Sequence, residues 1–316
     1  MEIENKVKYK KILPLIDVKS KPNSLGASFH TYVISFKGED GICGMGDDDN
    51  KVIAFEKALS ELLERSALHD FKGTGINTSN GFASHTRMDL AKENAKNELI
   101  ERDLFLTTWL AKKPPYWVTD SNFKGLLKSM IRSEQDLFNN LGYSLKLGII
   151  GVCNDSWVGV AVLKPRKNVN LFGCVLTTAA HGSVEGVIEK LFLDQKRMVS
   201  MIEDRLRINR TIFTPILEAE IRHPVDHTEY YLNPENLKKI SWYIDSPGEI
   251  LTFPNLDLNF QVIAPPVEFQ NYRYIVRCHS NDSQKYFIGK TTTKNINLKR
   301  LKTLTNKYYD QIHPLG

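Results

Sequence analysis

The sequence predicts an α+β fold, in which mixed β-sheets pack against α-helices. Two long segments repeat their apolar residues at helical spacing, and several shorter runs of β-branched and aromatic residues are typical of strands. Because no linker rich in glycine, serine or proline divides these elements, we expect a single domain over residues 1–316. The polar, lysine-rich residues 1–24 are expected to form a loosely held N-terminal segment.

The first half of the chain predicts one strand and two helices. His30 to Phe36 is rich in β-branched and aromatic residues, which predicts a strand. Apolar residues at helical spacing predict a helix over residues 52–68. A second helix is expected from Met88 to Leu110, before Pro114 and the proline after it stop it.

The second half predicts further strands around one long helix, over residues 184–207. The expected strands are Leu145 to Leu163, in two runs broken at Asn154 and Asp155, then Leu171 to Thr177, Tyr274 to Arg277 and Tyr286 to Ile288.

Composition narrows the class of protein. Hydrophobic residues make up 41% of the 316 residues and charged residues 25%, which excludes a mainly disordered chain. The net charge of +5 is spread along the chain, so we expect neither nucleic-acid nor membrane binding. Four cysteines without a CxxC pair argue against a disulfide framework or a zinc site. With no signal-peptide core and no run of transmembrane length, the chain is expected to be cytoplasmic.

Two nearly identical glutamate motifs lie on the two predicted helices. They read Glu61-Leu-Leu-Glu64-Arg65 and Glu98-Leu-Ile-Glu101-Arg102. Glutamates three apart on a helix project from the same face, so two such helices side by side can present four carboxylates. Mg²⁺ prefers oxygen ligands and is commonly held by carboxylates together with nucleotide phosphates. The pattern favours a metal–nucleotide site over a solvated helix face, because it recurs and because Leu90, Asn94 and Phe105 share the second stripe.

The glycines that follow the first strand do not form a known phosphate loop. Gly41, Gly44 and Gly46 fit neither the Walker nor the dinucleotide spacing. Cys43 lies among them without a histidine nearby in sequence, so we expect it to be buried by packing rather than to act as a nucleophile.

At these and other residues the chain resembles the YcaO family. The most specific stretch, Ser79 to Asp103, is similar to the family's serine-asparagine-glycine loop and its ELIERD-type helix. The other similar stretches, in the family's order, are Ala58 to Arg65, Thr178 to His181 with the helix through Asp194, Tyr274 to Cys278, Tyr286 to Gly289, Asn297 with Arg300, and His313 to Gly316.

The resemblance implies a YcaO-like fold and an enzyme that uses ATP and Mg²⁺. Such proteins phosphorylate the oxygen of a peptide backbone amide, and a nucleophile then displaces the phosphate. The product is an azoline from cyclodehydration onto cysteine, serine or threonine, a thioamide from sulfide, or an amidine from an amine. The expected substrate is a ribosomally made precursor peptide.

The resemblance also implies roles for individual residues. Glu61, Glu64, Glu98 and Glu101 would be magnesium ligands, with Glu61 and Glu98 also counted among the nucleotide-binding residues. Arg102 would contact phosphate, and Asp194 would stand where the family has an acidic nucleotide-site residue. Gly316 would supply a terminal carboxylate as a catalytic base.

Partner proteins follow from the same resemblance. We expect a separate, ThiF-like or similar protein that captures the leader of the precursor peptide. A flavin dehydrogenase in the same complex and a homodimer are further expected partners.

The sequence departs from the family pattern at four positions. Leu90 stands where a further glutamate is usual, Thr86 replaces an asparagine, Lys57 replaces a frequent serine, and Arg197 replaces a glutamine. Two readings stay open. The site is rebuilt around fewer metals, or the chain is a degenerate, non-catalytic subunit that serves as a scaffold or docks the peptide.

Overall fold

The computed structural model describes residues 9–21, 29–39, 41–71, 80–166, 172–209, 213–305 and 307–315. Its helices in chain order are α1 (Lys51–Asp70), α2 (Met88–Leu110), α3 (Gly125–Asn140), α4 (Val184–Asn209), α5 (Pro224–Leu232), α6 (Leu237–Asp245) and α7 (Leu298–Leu301). Its strands are β1 (Ile16–Lys21), β2 (His30–Phe36), β3 (Cys43–Asp48), β4 (Phe82–His85), β5 (Tyr116–Val118), β6 (Tyr143–Cys153), β7 (Ser156–Pro165), β8 (Val175–His181), β9 (Leu251–Thr252), β10 (Asn259–Ile263) and β11 (Tyr274–His279).

These elements confirm the α+β prediction and group into two compact units. The first comprises Met1–Leu99 with Leu258–Ser280, and the second comprises Ile100–Asp257 with Asn281–Gly316. The expectation of one domain stays a prediction. None of the helices in the described ranges combines the length and the apolar character needed to cross a membrane.

The first unit contains two antiparallel three-stranded sheets, ordered β1-β2-β3 and β10-β11-β4. Asn50 caps the N-terminus of α1: its side-chain oxygen accepts hydrogen bonds from the backbone N–H groups of Val52 and Ile53. The apolar stripe of α1 is fully buried, as the sequence predicts: Ala54, Phe55, Ala58, Leu59, Leu62 and Leu63 are all at 0% exposure.

Strand β3 lies against the backbone of α1 because two of its residues are glycines. A Cβ atom added at Gly44 would come 2.1 Å from the carbonyl oxygen of Ala58, and one at Gly46 would come 2.1 Å from that of Ala54. The alternation of a strand then turns Cys43 and Met45 to the opposite face. The expectation that Cys43 is buried is therefore wrong, since its side chain is exposed.

The second sheet of this unit is covered on both faces. One face carries Phe82 and Ile275, which join the cluster around α1. The other face carries Val276 and Cys278, which pack on Ala91 and other small residues of α2. Strand β4 pairs with β11 alone in the described sheet, so its second edge is open.

The second unit is built on a five-stranded sheet ordered β5-β6-β7-β8, with β9 parallel to β6. Residues Asn154 and Asp155 form the β6–β7 turn in the left-handed region, at φ of 46° and 60°. The predicted break at these residues is confirmed.

Three further sequence expectations differ from the structure. The sequence predicts that residues 1–24 are loosely held, but the described residues Tyr9, Ile12 and Ile16 are buried. These three side chains pack in the same core as α1, and β1 pairs with β2. The strand expected from residue 171 begins at Val175 and continues to His181; Leu171 lies outside the described residues. Residues 286–288 form no strand, because the Tyr286 hydroxyl and the Phe287 carbonyl bond to the C-terminal residues instead.

Candidate functional site

The two glutamates of α1 are each held by a backbone N–H group of a neighbouring strand. Glu64 Oε1 accepts a hydrogen bond of 2.6 Å from the backbone N–H of Ser84, on the open edge of β4. Glu61 Oε2 accepts one of 2.6 Å from Met45 on β3, and its other oxygen pairs with Arg65 Nη2 at 2.6 Å. The close approach of β3 to α1 at Gly44 and Gly46 thus brings the Met45 N–H within hydrogen-bond distance of Glu61.

A cavity of about 590 Å³ lies in the first unit, between α1 and the beginning of α2. Three of the four predicted metal ligands, Glu61, Glu64 and Glu98, line it. Its other charged lining residues in the described chain are Glu56, Lys57 and Arg273, so four carboxylates face two cationic groups. The cavity therefore carries an excess of negative charge, which a divalent cation would neutralise.

Glu64 shows this excess most directly. Burial raises the pKa of Glu64 well above its usual range, and the nearby charges of Glu98 and Glu61 raise it further. The Ser84 N–H and the Arg273 guanidinium oppose this shift only in part. The ionised form of Glu64 is therefore destabilised by its surroundings. A divalent cation near these carboxylates would favour the ionised form of Glu64.

Arg273 is the residue of this cavity that the sequence did not single out. It is only 3% exposed and donates to the carboxylate of Glu56, which also accepts from the Tyr9 hydroxyl. Its Nη1 donates to Ser60 Oγ at 3.1 Å. Arg273 directly precedes β11, and its position two residues before Ile275 continues the face of that strand that packs on α1.

The positions that depart from the family pattern lie around the same cavity or beside it. Lys57 lines the cavity and pairs with Asp48 at 2.8 Å. Thr86 also lines it, whereas Leu90 is half-buried on α2. Asp89 cannot take the place of a glutamate at position 90, because it is exposed and paired with Arg87.

Glu101, the fourth predicted metal ligand, belongs to the second unit. Its Oε1 accepts a hydrogen bond of 2.6 Å from Thr178 Oγ1 on β8. Burial raises the pKa of Glu101, and the charge of Asp194 adds to the shift. Asp194 itself forms an ion pair of 3.3 Å with Arg197, one turn further along α4.

The remaining predicted site residues have different surroundings. The Arg102 guanidinium lies over the ring of Tyr286, 5.6 Å from its centroid. Gly316 lies outside the described residues, so its predicted role as a base stays a prediction. Residues 312–315, which precede it, are buried; the Tyr231 hydroxyl donates to the carbonyl of Ile312 at 2.5 Å.

Within the described ranges, no group of three or more His, Cys, Asp or Glu side chains is arranged to hold a metal ion. The reason is local, since the glutamates are turned toward protein partners: Glu61 toward Arg65, Glu64 toward Ser84 and Glu101 toward Thr178. The predicted magnesium ligands therefore stay a prediction.

Antiparallel sheets and two carboxylate-bearing helices around a polar cavity describe an α+β fold that several solved structures share. The YcaO protein of Methanopyrus kandleri, solved with AMPPCP and Mg²⁺, matches at a TM-score of 0.62 and 14% identity, covering 91% of this chain and 92% of that one. The microcin synthetase McbBCD complex of E. coli, with pro-MccB17 bound, matches at 0.55 and 10% identity, covering 93% and 95%.

A heterocyclase in complex with substrate and cofactor also matches, at a TM-score of 0.62 and 10% identity. The match covers 89% of this chain and 53% of the heterocyclase, so the chain spans about half of that protein. No protein-family model and no curated protein sequence matches. The chain has a YcaO-like fold, as its residues predict.

Proposed function

We propose that this chain binds Mg²⁺ and ATP in the glutamate cavity and activates backbone amides of a ribosomally made precursor peptide by O-phosphorylation. The observation that carries the proposal is the convergence of Glu61, Glu64 and Glu98 on one cavity with an excess of negative charge. The neighbour of similar fold that was solved with AMPPCP and Mg²⁺ supports the choice of cofactors.

The proposed role of each residue follows from its charge. Glu61, Glu64 and Glu98 would hold Mg²⁺, with Glu101 as a further ligand, and Arg102 and Asp194 would serve the nucleotide. Bound Mg²⁺ would supply the positive charge that phosphoryl transfer requires. The carboxylates would fix the position of that charge.

The substrate and partners follow from the neighbours of the same fold. One was solved with a substrate bound and another as a complex with pro-MccB17. We infer that this chain likewise acts on a peptide, in a complex with a leader-binding partner. Azoline formation by cyclodehydration is the first expected product class, with thioamide or amidine formation as the others.

Calorimetric titration tests the proposal. Wild-type protein should bind ATP only when Mg²⁺ is present, and Glu98→Gln should remove that binding. Glu93→Gln is the matched control, because Glu93 lies on the same helix, is exposed and does not line the cavity. A wild type that binds no nucleotide with or without Mg²⁺ would overturn the proposal.

A second candidate function is a non-catalytic subunit that docks the peptide. The leucine at position 90 favours this second function, because it supplies no carboxylate and the Asp89 carboxylate is already paired with Arg87. Leu90→Glu separates the two. A gain of nucleotide affinity or peptide modification would identify an eroded site, whereas a loss would identify a site rebuilt without that ligand.

A further inference from the structure

We propose that Ser84, Ser60 and Arg273 form a phosphoryl-oxygen subsite on the floor of the glutamate cavity. The proposal rests on the proposed function, because it assigns the end of the cavity where the phosphates of the metal–nucleotide ligand lie. All three residues line the cavity, and none belongs to the doubled glutamate motif.

The first observation is an unpaired hydroxyl. Ser84 is only 3% exposed, and its Oγ atom has no hydrogen-bond partner among the described residues. Buried hydroxyl groups in native proteins are almost always paired, since leaving one unpaired costs stability. A cavity-lining hydroxyl of this kind is explained if a ligand supplies the partner.

The direction of this hydroxyl follows from the strand register. Ser84 pairs with Ile275 across β4 and β11, so the two side chains lie on the same face of the sheet. Ile275 packs in the α1 cluster, which places Ser84 on the α1 side. Arg273 is two residues before Ile275 and therefore shares that face.

Ser60 brings a second hydroxyl to the same place from α1. It lies one turn before Glu64, whose carboxylate accepts from the backbone of Ser84. Its Oγ atom accepts a hydrogen bond of 3.1 Å from Arg273 Nη1. That bond uses the Ser60 oxygen as an acceptor, and the Ser60 hydroxyl donates to none of the described residues.

The chemistry of these groups selects an oxygen acceptor. The Arg273 guanidinium already donates to Glu56 and Ser60. The Ser60 oxygen accepts from it, so the hydroxyl groups of Ser60 and Ser84 are the donors that remain for a ligand. The carboxylates of Glu61, Glu64 and Glu98, which line the same cavity, attract a cation. A phosphate bound to a divalent cation suits both kinds of group, since the cation would meet carboxylates and the phosphoryl oxygens would meet the hydroxyls.

Ser84→Ala and Ser60→Ala test this subsite by calorimetry with two probes, Mg²⁺ with ATP and Mg²⁺ with pyrophosphate. Each variant should bind both probes with about tenfold lower affinity, because a hydrogen bond to a charged oxygen is lost. Binding of Mn²⁺ alone should not change. Ser66→Ala is the matched control, because Ser66 is half-buried on the same helix and lies outside this cavity.

The melting temperature separates a binding role from a structural one. Ser84→Ala removes an unpaired buried hydroxyl, so the melting temperature should stay the same or rise. A lower melting temperature with unchanged affinity for both probes would assign Ser84 to the fold and overturn the subsite.

The two probes also separate this inference from the proposed function. If the wild type binds ATP and both serine variants bind it equally well, the subsite fails and the nucleotide function stands. If the wild type binds pyrophosphate in a Ser84-dependent way but not ATP, the subsite stands and the nucleotide function fails. If the wild type binds neither probe, both are overturned.

Discussion

Arg300 donates from Nε and Nη2 to the carboxylate of Asp103, at 2.9 and 2.6 Å, although 197 positions separate them in the sequence. Both side chains are buried, at 4% and 0% exposure, and the backbone N–H of Gln284 donates to the same carboxylate at 2.6 Å. Asp103 follows directly after Arg102 in the second glutamate motif. Its role is therefore structural, since it ties α2 to α7 within the second unit.

Replacing Arg300 by Met should destabilise the protein by about 3–5 kcal/mol, because it leaves the Asp103 charge buried without its partner. Urea denaturation measures this free energy of unfolding. Lys299→Met is the matched control, since its pair with Asp282 is largely exposed and should contribute about 1 kcal/mol or less. Similar losses for both variants would contradict a buried, structural Asp103–Arg300 pair.

Glu64→Gln should make stability less dependent on pH. The pKa of Glu64 is raised by burial and by Glu98 and Glu61, so the folded state resists ionisation while the unfolded state ionises above about 4.5. The contribution of Glu64 to wild-type stability is therefore lost as pH rises from about 4.5 through the folded pKa. In Glu64→Gln the side chain does not ionise, so this loss does not occur.

Urea denaturation at pH 5 and pH 8 measures this effect. At pH 8 the free energy of unfolding of Glu64→Gln should exceed that of the wild type, and at pH 5 this difference should be smaller. Glu93→Gln should show no such difference. An equal difference at both values of pH would rule out a protonated Glu64.

Cation binding should release protons. A divalent cation stabilises the ionised form of Glu64, so the proton held in its absence leaves on binding. Titration of Mg²⁺ and ATP in buffers of different ionisation enthalpy measures the number of protons released. The release should fall in Glu64→Gln; an unchanged release would place the titrating group elsewhere.

The C-terminal residues should loosen in acid. The His313 ring stacks on His227 at 4.1 Å between centroids, and His227 Nδ1 donates to the His313 carbonyl at 2.7 Å, because Nε2 accepts from Gly289. Burial lowers the pKa of both imidazoles, and the proximity of His227 lowers that of His313 further. Both contribute stability above their unfolded pKa of about 6.5, and it is lost as pH falls through the lower folded values.

Hydrogen exchange at pH 7.5 and 5.5, corrected for the intrinsic exchange rate, measures this loosening. Residues 309–315 should lose protection at the lower pH, and the amides of β7 should not. Equal protection of residues 309–315 at both values of pH would mean that the histidine pair does not control this segment.

The sequence predicted those parts of the fold in which local pattern and burial agree. Helix α2 begins and ends at the predicted Met88 and Leu110, and β2 has the predicted bounds, because period and stop signals coincide there. Residues 286–288 have a strand-like composition, but hydrogen bonds to residues near position 313 determine their conformation. Rules that use only neighbouring residues in the sequence cannot predict contacts with such distant partners.

The candidate site was predictable in part for the same reason. Glutamates spaced three apart on helices are visible in the sequence, and three of the four line one cavity. Arg273 and Ser84 were not visible as site residues, because their position depends on the pairing of β4 with β11, which joins residues about 190 positions apart.

Gly46→Ala should destabilise the first unit and weaken the site together. The added Cβ atom would meet the Ala54 carbonyl at 2.1 Å, so β3 must move away from α1. That movement withdraws the Met45 N–H from Glu61. Circular dichroism melting and Mg²⁺–ATP titration measure the two effects, with Gly38→Ala as a control for the strain of a turn glycine with open space around it. Full stability in Gly46→Ala would contradict a tight β3–α1 contact.

The two glycines of β3 have a consequence for how such proteins can change over evolution. A carboxylate on the surface of a helix can be exchanged without moving the backbone, so the chemistry of this cavity can drift one side chain at a time. Gly44 and Gly46 have no such freedom, because any replacement separates the strand from the helix. A relative that has lost its glutamates should therefore still be recognisable by a pair of alternate glycines before its first long helix, which marks inherited shape rather than retained activity.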